Sequence, residues 1–371
     1  WWADKIITPA KTRGMIGKKC AFRGVIELTY SDGSKECFGT SPDTWKAGIA
    51  GPVTHASIFD GEYYDARIAP GYETLDKLGK SEINNEFKGG IFPSDGAEIY
   101  LRHDLALTPA RAYVWKDVEG AKEGEYGKVV ILEEYDEGDE IVLKPDETLV
   151  VDFGQNAAAV PQFVFKAAEG TVLTCLPSEI LNDGNGAESR GMDGPEGSCH
   201  RRNLRVQDNP GILLQYTFGE ENDYVIYMPR RTFFGYRYIS VTSSDEVRFR
   251  MIRSIPVSSV TKDMEIGHIT TGNPLVNQLI SNTVWGMYSN YLSIPTDCPQ
   301  RDERLGWTAD AQVFVETGSF FANTGAFMRK WMRDMRDSQS ETGGFPGVAP
   351  LAQYGNEKMR LGWADAGIIV P

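Results

Sequence analysis

The sequence predicts a multidomain β-plus-α protein, with β-sandwich or jelly-roll domains over the first two thirds and helices after them. Three observations carry this. Short strand-like runs recur between Gly, Pro and Asp turns up to about Val247, and none sustains a 3.6-residue apolar period for four turns. After Arg253 the apolar period changes to three and four residues. The length, 371 residues, exceeds one ordinary domain. The expected division is a jelly-roll-like β-sandwich over 1–140, a second β-sandwich over 141–250 and a helical region over 251–371.

The first hairpin has the clearest signal. Runs at 24–30 and 35–39 flank Ser31-Asp32-Gly33-Ser34, and an Asp-Gly pair between two such runs favours a tight turn. Further strands are expected at 128–133, 147–153, 162–165, 171–176, 224–228 and 236–242. Residues 182–195 are crowded with Asn, Asp and Gly and read as an extended loop. Its spacing is not that of a calcium loop, because Ala187 stands where an oxygen ligand is required. Asn273 followed by Pro274 is a helix cap with Pro at the first helical position. Val276, Ile280, Val284, Met287 and Tyr291 then make one stripe, and Pro295 and Pro299 stop that helix near Ser293. A second long helix is expected from about Asp310, striped by Phe314, Phe321, Met328, Trp331 and Met335.

Composition excludes several functions. A net charge of −14 and a pI near 4.9 argue against nucleic acid and anionic membrane surfaces as partners. No apolar run has the length needed to span a bilayer. The five cysteines, Cys20, Cys37, Cys175, Cys199 and Cys298, have neither zinc spacing nor the even count of a disulfide framework. No metal and no cofactor is expected. Trp1-Trp2-Ala3-Asp4 shows no signal pattern and both ends read as cut, so localisation and oligomeric state are not legible.

Between the two expected helices runs Ser293-Ile294-Pro295-Thr296-Asp297-Cys298-Pro299-Gln300-Arg301-Asp302-Glu303-Arg304-Leu305-Gly306-Trp307-Thr308-Ala309-Asp310. From Asp297 to Asp310, four carboxylates, two guanidinium groups and one indole lie within fourteen residues. Like charges held close raise at least one carboxyl pKa, which keeps a proton available near neutrality. Glycosidic cleavage needs such a donor for the leaving oxygen, and charged side chains can hold sugar hydroxyls. Gly306 is expected to permit a turn that a residue with a Cβ would resist. The plainer reading is a solvated charged loop laced with salt bridges. It does not account for the prolines, the cysteine and the Leu-Gly-Trp step in the same stretch.

The run Asp297-Cys298-Pro299-Gln300-Arg301-Asp302-Glu303-Arg304-Leu305-Gly306-Trp307 resembles the signature of the family 78 glycoside hydrolases, the bacterial and fungal α-L-rhamnosidases. Phe59-Asp60-Gly61-Glu62-Tyr63-Tyr64-Asp65-Ala66-Arg67, Val151-Asp152-Phe153-Gly154-Gln155-Asn156, Phe234-Gly235-Tyr236-Arg237-Tyr238 and Gly362-Trp363-Ala364-Asp365-Ala366 resemble its other motifs, in the family's order. Ala309 departs from the pattern, where glycine is more usual. The resemblance implies β-sandwich domains followed by the first helices of an (α/α)6 barrel, and an inverting hydrolysis of terminal α-L-rhamnose from rhamnosides or rhamnose-containing polysaccharides. By position it implies Glu303 as general acid, Asp297, Arg301 and Asp310 as holders of the rhamnose hydroxyls, and Trp307 and Trp363 as the wall around the C6 methyl. The family's general base is expected beyond Pro371.

Two other functions stay open at this point. A lyase on a related barrel would release rhamnose from a uronic acid by elimination, although His55, His103, His200 and His268 all fall outside the loop. A non-catalytic carbohydrate-binding fragment needs no base. Locally, Trp363 could be barrel core, Asp302 is expected to partner an Arg, and Asp65 with Arg67 to form a structural ion pair.

Overall fold

A computed structural model describes residues 21–48, 51–70, 78–85, 97–184, 193–205, 211–220, 223–351 and 361–371. Cys20, the chain start and the centre of the loop at 182–195 lie outside them. The chain is rich in β structure to Ser258 and helical after it, as the periodicity indicated.

The Asp-Gly hairpin forms, Val25–Thr29 pairing antiparallel with Lys35–Gly39. Most of the other strands share one set of pairings. Its order is Ile141–Leu143, Val247–Ser258, Thr148–Ala167, Phe234–Ser243, Val172–Ser178, Leu213–Thr217, Gly61–Asp65 and Val53–Ser57. Arg111–Glu119 joins through Thr148–Ala167 and brings Lys128–Tyr135 with it. The strand Val247–Ser258 runs across residue 250, where the sequence marked a division.

The strands expected at 147–153 and 162–165 are one twenty-residue strand, Thr148–Ala167. Gly154, with φ 72°, serves a bulge between Asp152 and Ala157. Asp152 fastens the bulge: its Oδ1 accepts from the Gly154 N–H at 2.7 Å, and both its oxygens accept from the Arg237 fork at 2.7 and 2.8 Å. Beyond the bulge the strand pairs with Val247–Ser258, so one continuous strand changes neighbours along its length. The far half of the strand enters an aromatic core in which Phe163, Phe165, Tyr216, Phe218, Tyr227 and Phe249 are linked by ring contacts.

The early motif is tied into this body. Glu62 is buried and accepts from the Tyr227 hydroxyl at 3.0 Å and from the backbone N–H groups of Arg230 and Arg231 at 3.1 and 3.0 Å. Asp65 and Arg67 form the expected ion pair, at 2.7 Å.

Among the described residues four α-helices follow: α1 Pro274–Asn290, α2 Thr308–Phe321, α3 Gly325–Asp337 and the short α4 Ala366–Ile369. The Asn273 side chain accepts from the Leu275 N–H at 2.9 Å and caps α1, as its sequence predicts. The α1 stripe is graded: Val276 is exposed, Ile280 and Val284 are half-buried, and Met287 and Tyr291 are buried. The single long second helix is a correction. Its stripe is shared by α2 and α3, which break at 322–324. There Ile266 and Gly267 donate to the Phe321 carbonyl at 3.0 and 3.1 Å, and Asn323 donates to the Met264 carbonyl at 2.7 Å. A distant segment thus takes over the groups that would otherwise continue the helix. No helix among the described residues is long and apolar enough to cross a membrane.

Candidate active site

The charged loop is held between α1 and α2 by both its ends. After α1, Tyr291–Leu292 and Ile294–Pro295 form a small hairpin about Ser293, whose φ is 66°. The Asp297 N–H then donates to the Leu305 carbonyl at 3.0 Å, and the Leu305 N–H returns to Asp297 Oδ1 at 2.7 Å. Residues 298–304 are therefore a closed loop with Asp297 at its neck. Gly306 is needed for close approach rather than for a turn: a Cβ there would lie 2.1 Å from the Ala349 carbonyl oxygen. That carbonyl accepts from the Trp331 indole at 2.9 Å, and the Ala349 N–H donates to the Gly306 carbonyl at 2.9 Å.

Glu303 is the centre of the cluster. Its Oε2 forms an ion pair with Arg301 Nη2 at 3.0 Å and accepts from Arg205 Nη2 at 2.9 Å. Its Oε1 accepts from the Trp307 indole at 3.2 Å. Arg205 Nη1 also reaches Asp302 Oδ1 at 3.4 Å, which gives Asp302 the arginine partner expected of it. Of the two loop arginines, only Arg301 meets the acids in this way. Arg304 is buried, donates to the carbonyls of Ile58 and Arg301 at 2.7 and 3.1 Å, and stacks over Phe59 and Phe233. Burial pushes its pKa down to about 10, still far enough above neutrality to keep the charge.

The like-charge argument finds its clearest expression at Asp297. Burial, and then the charge of Glu303, push its carboxyl up to about 7. Asp310, on the first turn of α2 and exposed, is raised by desolvation and by the same neighbour. Asp297, Cys298 and Glu303 bring ligand atoms within 4.8 Å of one another. A cation there would face two guanidinium groups already on Glu303, and burial holds the Cys298 thiol up at about 12, where it is protonated. The donor set fits an acid pair in an arginine clamp better than a metal.

A carboxyl whose folded pKa lies above its unfolded one adds stability below the unfolded value and loses it as pH rises through the folded value. For Asp297 that window runs from 3.8 to about 7. Asp297→Asn keeps an acceptor for the Leu305 N–H and cannot ionise. The substituted full-length protein is expected to gain stability relative to its parent between pH 5 and pH 8, on the order of 1–4 kcal/mol. Urea midpoints at the two pH values check this; a difference that does not change with pH would place Asp297 as an ionised group throughout.

The structure thus joins Asp297, Arg301, Glu303 and Trp307 by direct bonds and proximity and places Asp310 within their electrostatic reach. Trp363 is half-buried on the turn before α4, and its indole N–H has no hydrogen-bond partner among the described residues. That turn is held to α2 by the Gln312 amide, which donates to the Gly362 carbonyl. Two residues were missed by sequence reasoning. Arg205 comes from the β region, 98 positions before Glu303. Glu179 accepts from the Asn156 and Asn203 amides at 2.9 Å each, and its pKa is raised by burial against the pull of Asn156 and Arg301. Neither carries a local signal beyond the charge itself.

The combination defines a class: a β-rich chain leading into helices that present a cluster of acids clamped by arginines. Three family models match it in order. The α-L-rhamnosidase N-terminal domain matches residues 1–85, the bacterial α-L-rhamnosidase concanavalin-like domain 142–258, and the bacterial α-L-rhamnosidase 6 hairpin glycosidase domain 264–371. The chain belongs to the bacterial α-L-rhamnosidase family. It is 32% identical to an α-L-rhamnosidase of Formosa agariphila over 93% of the chain and 33% of the relative. It is 31% identical to one of Streptomyces avermitilis over 96% and 30%. Among solved structures, the Streptomyces avermitilis α-L-rhamnosidase complexed with L-rhamnose superposes with a TM-score of 0.76 at 28% identity, covering 100% of this chain and 31% of that one. The native enzyme of Aspergillus terreus gives 0.72 at 27% identity, covering 100% and 38%. The chain spans about a third of the length of the curated relatives it matches.

Proposed function

We propose that the full-length protein is an inverting α-L-rhamnosidase that releases terminal α-L-rhamnose from rhamnosides or rhamnose-containing polysaccharides. The observation that carries this is the holding of Glu303. Two guanidinium groups grip Oε2, which leaves Oε1, beside the Trp307 indole, as the oxygen that carries a proton to the glycosidic oxygen. The names of the relatives and the rhamnose complex of the Streptomyces avermitilis enzyme support the substrate.

In this reading Asp297, Arg301 and Asp310 hold the sugar hydroxyls, and Trp307 and Trp363 wall the C6 methyl. A methyl pocket discriminates by only about 1–3 kcal/mol, so the charged groups must supply most of the selectivity. Inversion needs a base about 6.5–9.5 Å from the acid, with room for water between them. Asp297 lies within 4.8 Å of Glu303 and is too close for that role. No residue of this chain is assigned as the base. The finer fold goes with the same proposal: β-sandwich, jelly-roll-like domains over about 1–140 and 141–250, and the opening of an (α/α)6 barrel over 251–371, supported by the order of the three family matches.

The test is nitrophenol release from p-nitrophenyl α-L-rhamnopyranoside by the full-length protein, with the first-formed anomer read by proton NMR. Rapid appearance of β-rhamnose is expected. First-formed α-rhamnose would overturn inversion. An unsaturated uronate product from a rhamnose–uronate disaccharide, without nitrophenol release, would replace the hydrolase with a lyase.

A further inference from the structure

The 3-10 turn Arg202–Leu204 ends on Arg205, whose backbone is left-handed with φ 60° and ψ 34°. Few side chains other than Gly, Asn and Asp adopt that conformation, so the surroundings must hold it. They do so from several sides. Leu204 is fully buried in the β core. Asp193 Oδ2 accepts from the backbone N–H groups of Arg201 and Arg202 at 2.8 Å each, and Asp193 Oδ1 lies 2.8 Å from His200 Nδ1. The Asn203 amide donates to Glu179 Oε2 at 2.9 Å. The outcome of this bracing is the Arg205 fork, with one nitrogen on Asp302 and the other on Glu303.

We infer that Arg205, supplied by the β region, is a positioning residue for the proton donor: it fixes Glu303 through Oε2 so that Oε1 alone faces the leaving group, and through Asp302 it locks the adjacent backbone. The inference rests on the rhamnosidase reading of Glu303. Arg205 itself transfers no proton. Arg301 alone cannot do the same work, because it belongs to the loop it would have to hold, whereas Arg205 stands on a separate, buried support. The β region is then part of the reaction centre and not only an accessory to it.

The test uses the full-length protein with Arg205→Met and Arg205→Lys. Turnover is measured on p-nitrophenyl α-L-rhamnoside, whose leaving group needs little protonation, and on a methyl or sugar rhamnoside, whose leaving group needs much. For Arg205→Met the expected result is a kcat loss of about 10²-fold on the poor leaving group and less than about tenfold on nitrophenol, with KM nearly unchanged. Arg205→Lys, which retains the cation but not the fork, recovers part of the loss. Equal losses on both substrates, a rise in KM alone, or an unchanged enzyme would each overturn the inference. If Arg205→Met does not fold, Arg205→Lys is read for the same split in leaving-group dependence. Failure of the parent protein to turn over either rhamnoside would remove the rhamnosidase reading and the role together; turnover by the parent with no split in the variants removes only the role.

Discussion

On the proposed reading, Glu303→Gln in the full-length protein is expected to lower turnover of natural rhamnosides by about 10²–10⁴-fold, the usual contribution of a positioned general acid. The amide keeps the shape of the carboxyl and loses the proton. Nitrophenyl rhamnoside, with a leaving group that departs as an anion, suffers much less. The ratio of the two losses is the diagnostic quantity, measured as kcat on each substrate. Equal losses would take Glu303 out of the donor role. Rhamnose affinity provides a control, because a variant that still binds the sugar has kept its loop.

The second large effect concerns stability. Trp331 on α3 is fully buried, and its indole donates to the Ala349 carbonyl at 2.9 Å. Trp331→Ala is expected to cost about 3–5 kcal/mol, as deletion of a core aromatic does. It also leaves the Ala349 carbonyl without that donor, and this carbonyl stands against Gly306. The same substitution should therefore lower kcat beyond what its unfolded fraction explains. Urea unfolding followed by circular dichroism, with activity scaled to folded protein, separates the two effects. A loss below about 1 kcal/mol would mean that the helical core closes over the gap.

How far the molecule was legible depends on whether a feature is local. Asp32-Gly33 set its hairpin and Asn273-Pro274 its helix start, because a turn and a cap are decided within a few residues. The break between α2 and α3 was not legible. Phe321 and Met328 are seven positions apart, so the apolar stripe stays in phase across a gap that residues 264–267 create from outside. The bulge at Gly154 was not legible for a related reason: a positive φ serves a bulge as well as a turn, and only the partner strands decide between them. At the site, the acids and Trp307 were visible as one crowded run. Offsetting those acids falls only partly to the loop itself, because Arg304 stacks on Phe59 and Phe233. Arg205, from far earlier in the chain, does part of that work, and no sequence spacing encodes such a meeting.

The stitching of the early chain into the later body bears on how such a protein can be cut and recombined. Gly61–Asp65 lies parallel to Leu213–Thr217 inside the common sheet, and Ile58 offers its carbonyl to Arg304 in the reactive loop. An exchange of this stretch for a foreign module would have to match a strand edge, the seat of Glu62 and a guanidinium acceptor all at once. The segment is therefore no free cassette: it is coupled to the loop it touches, and a chimera joined between them is expected to lose these contacts.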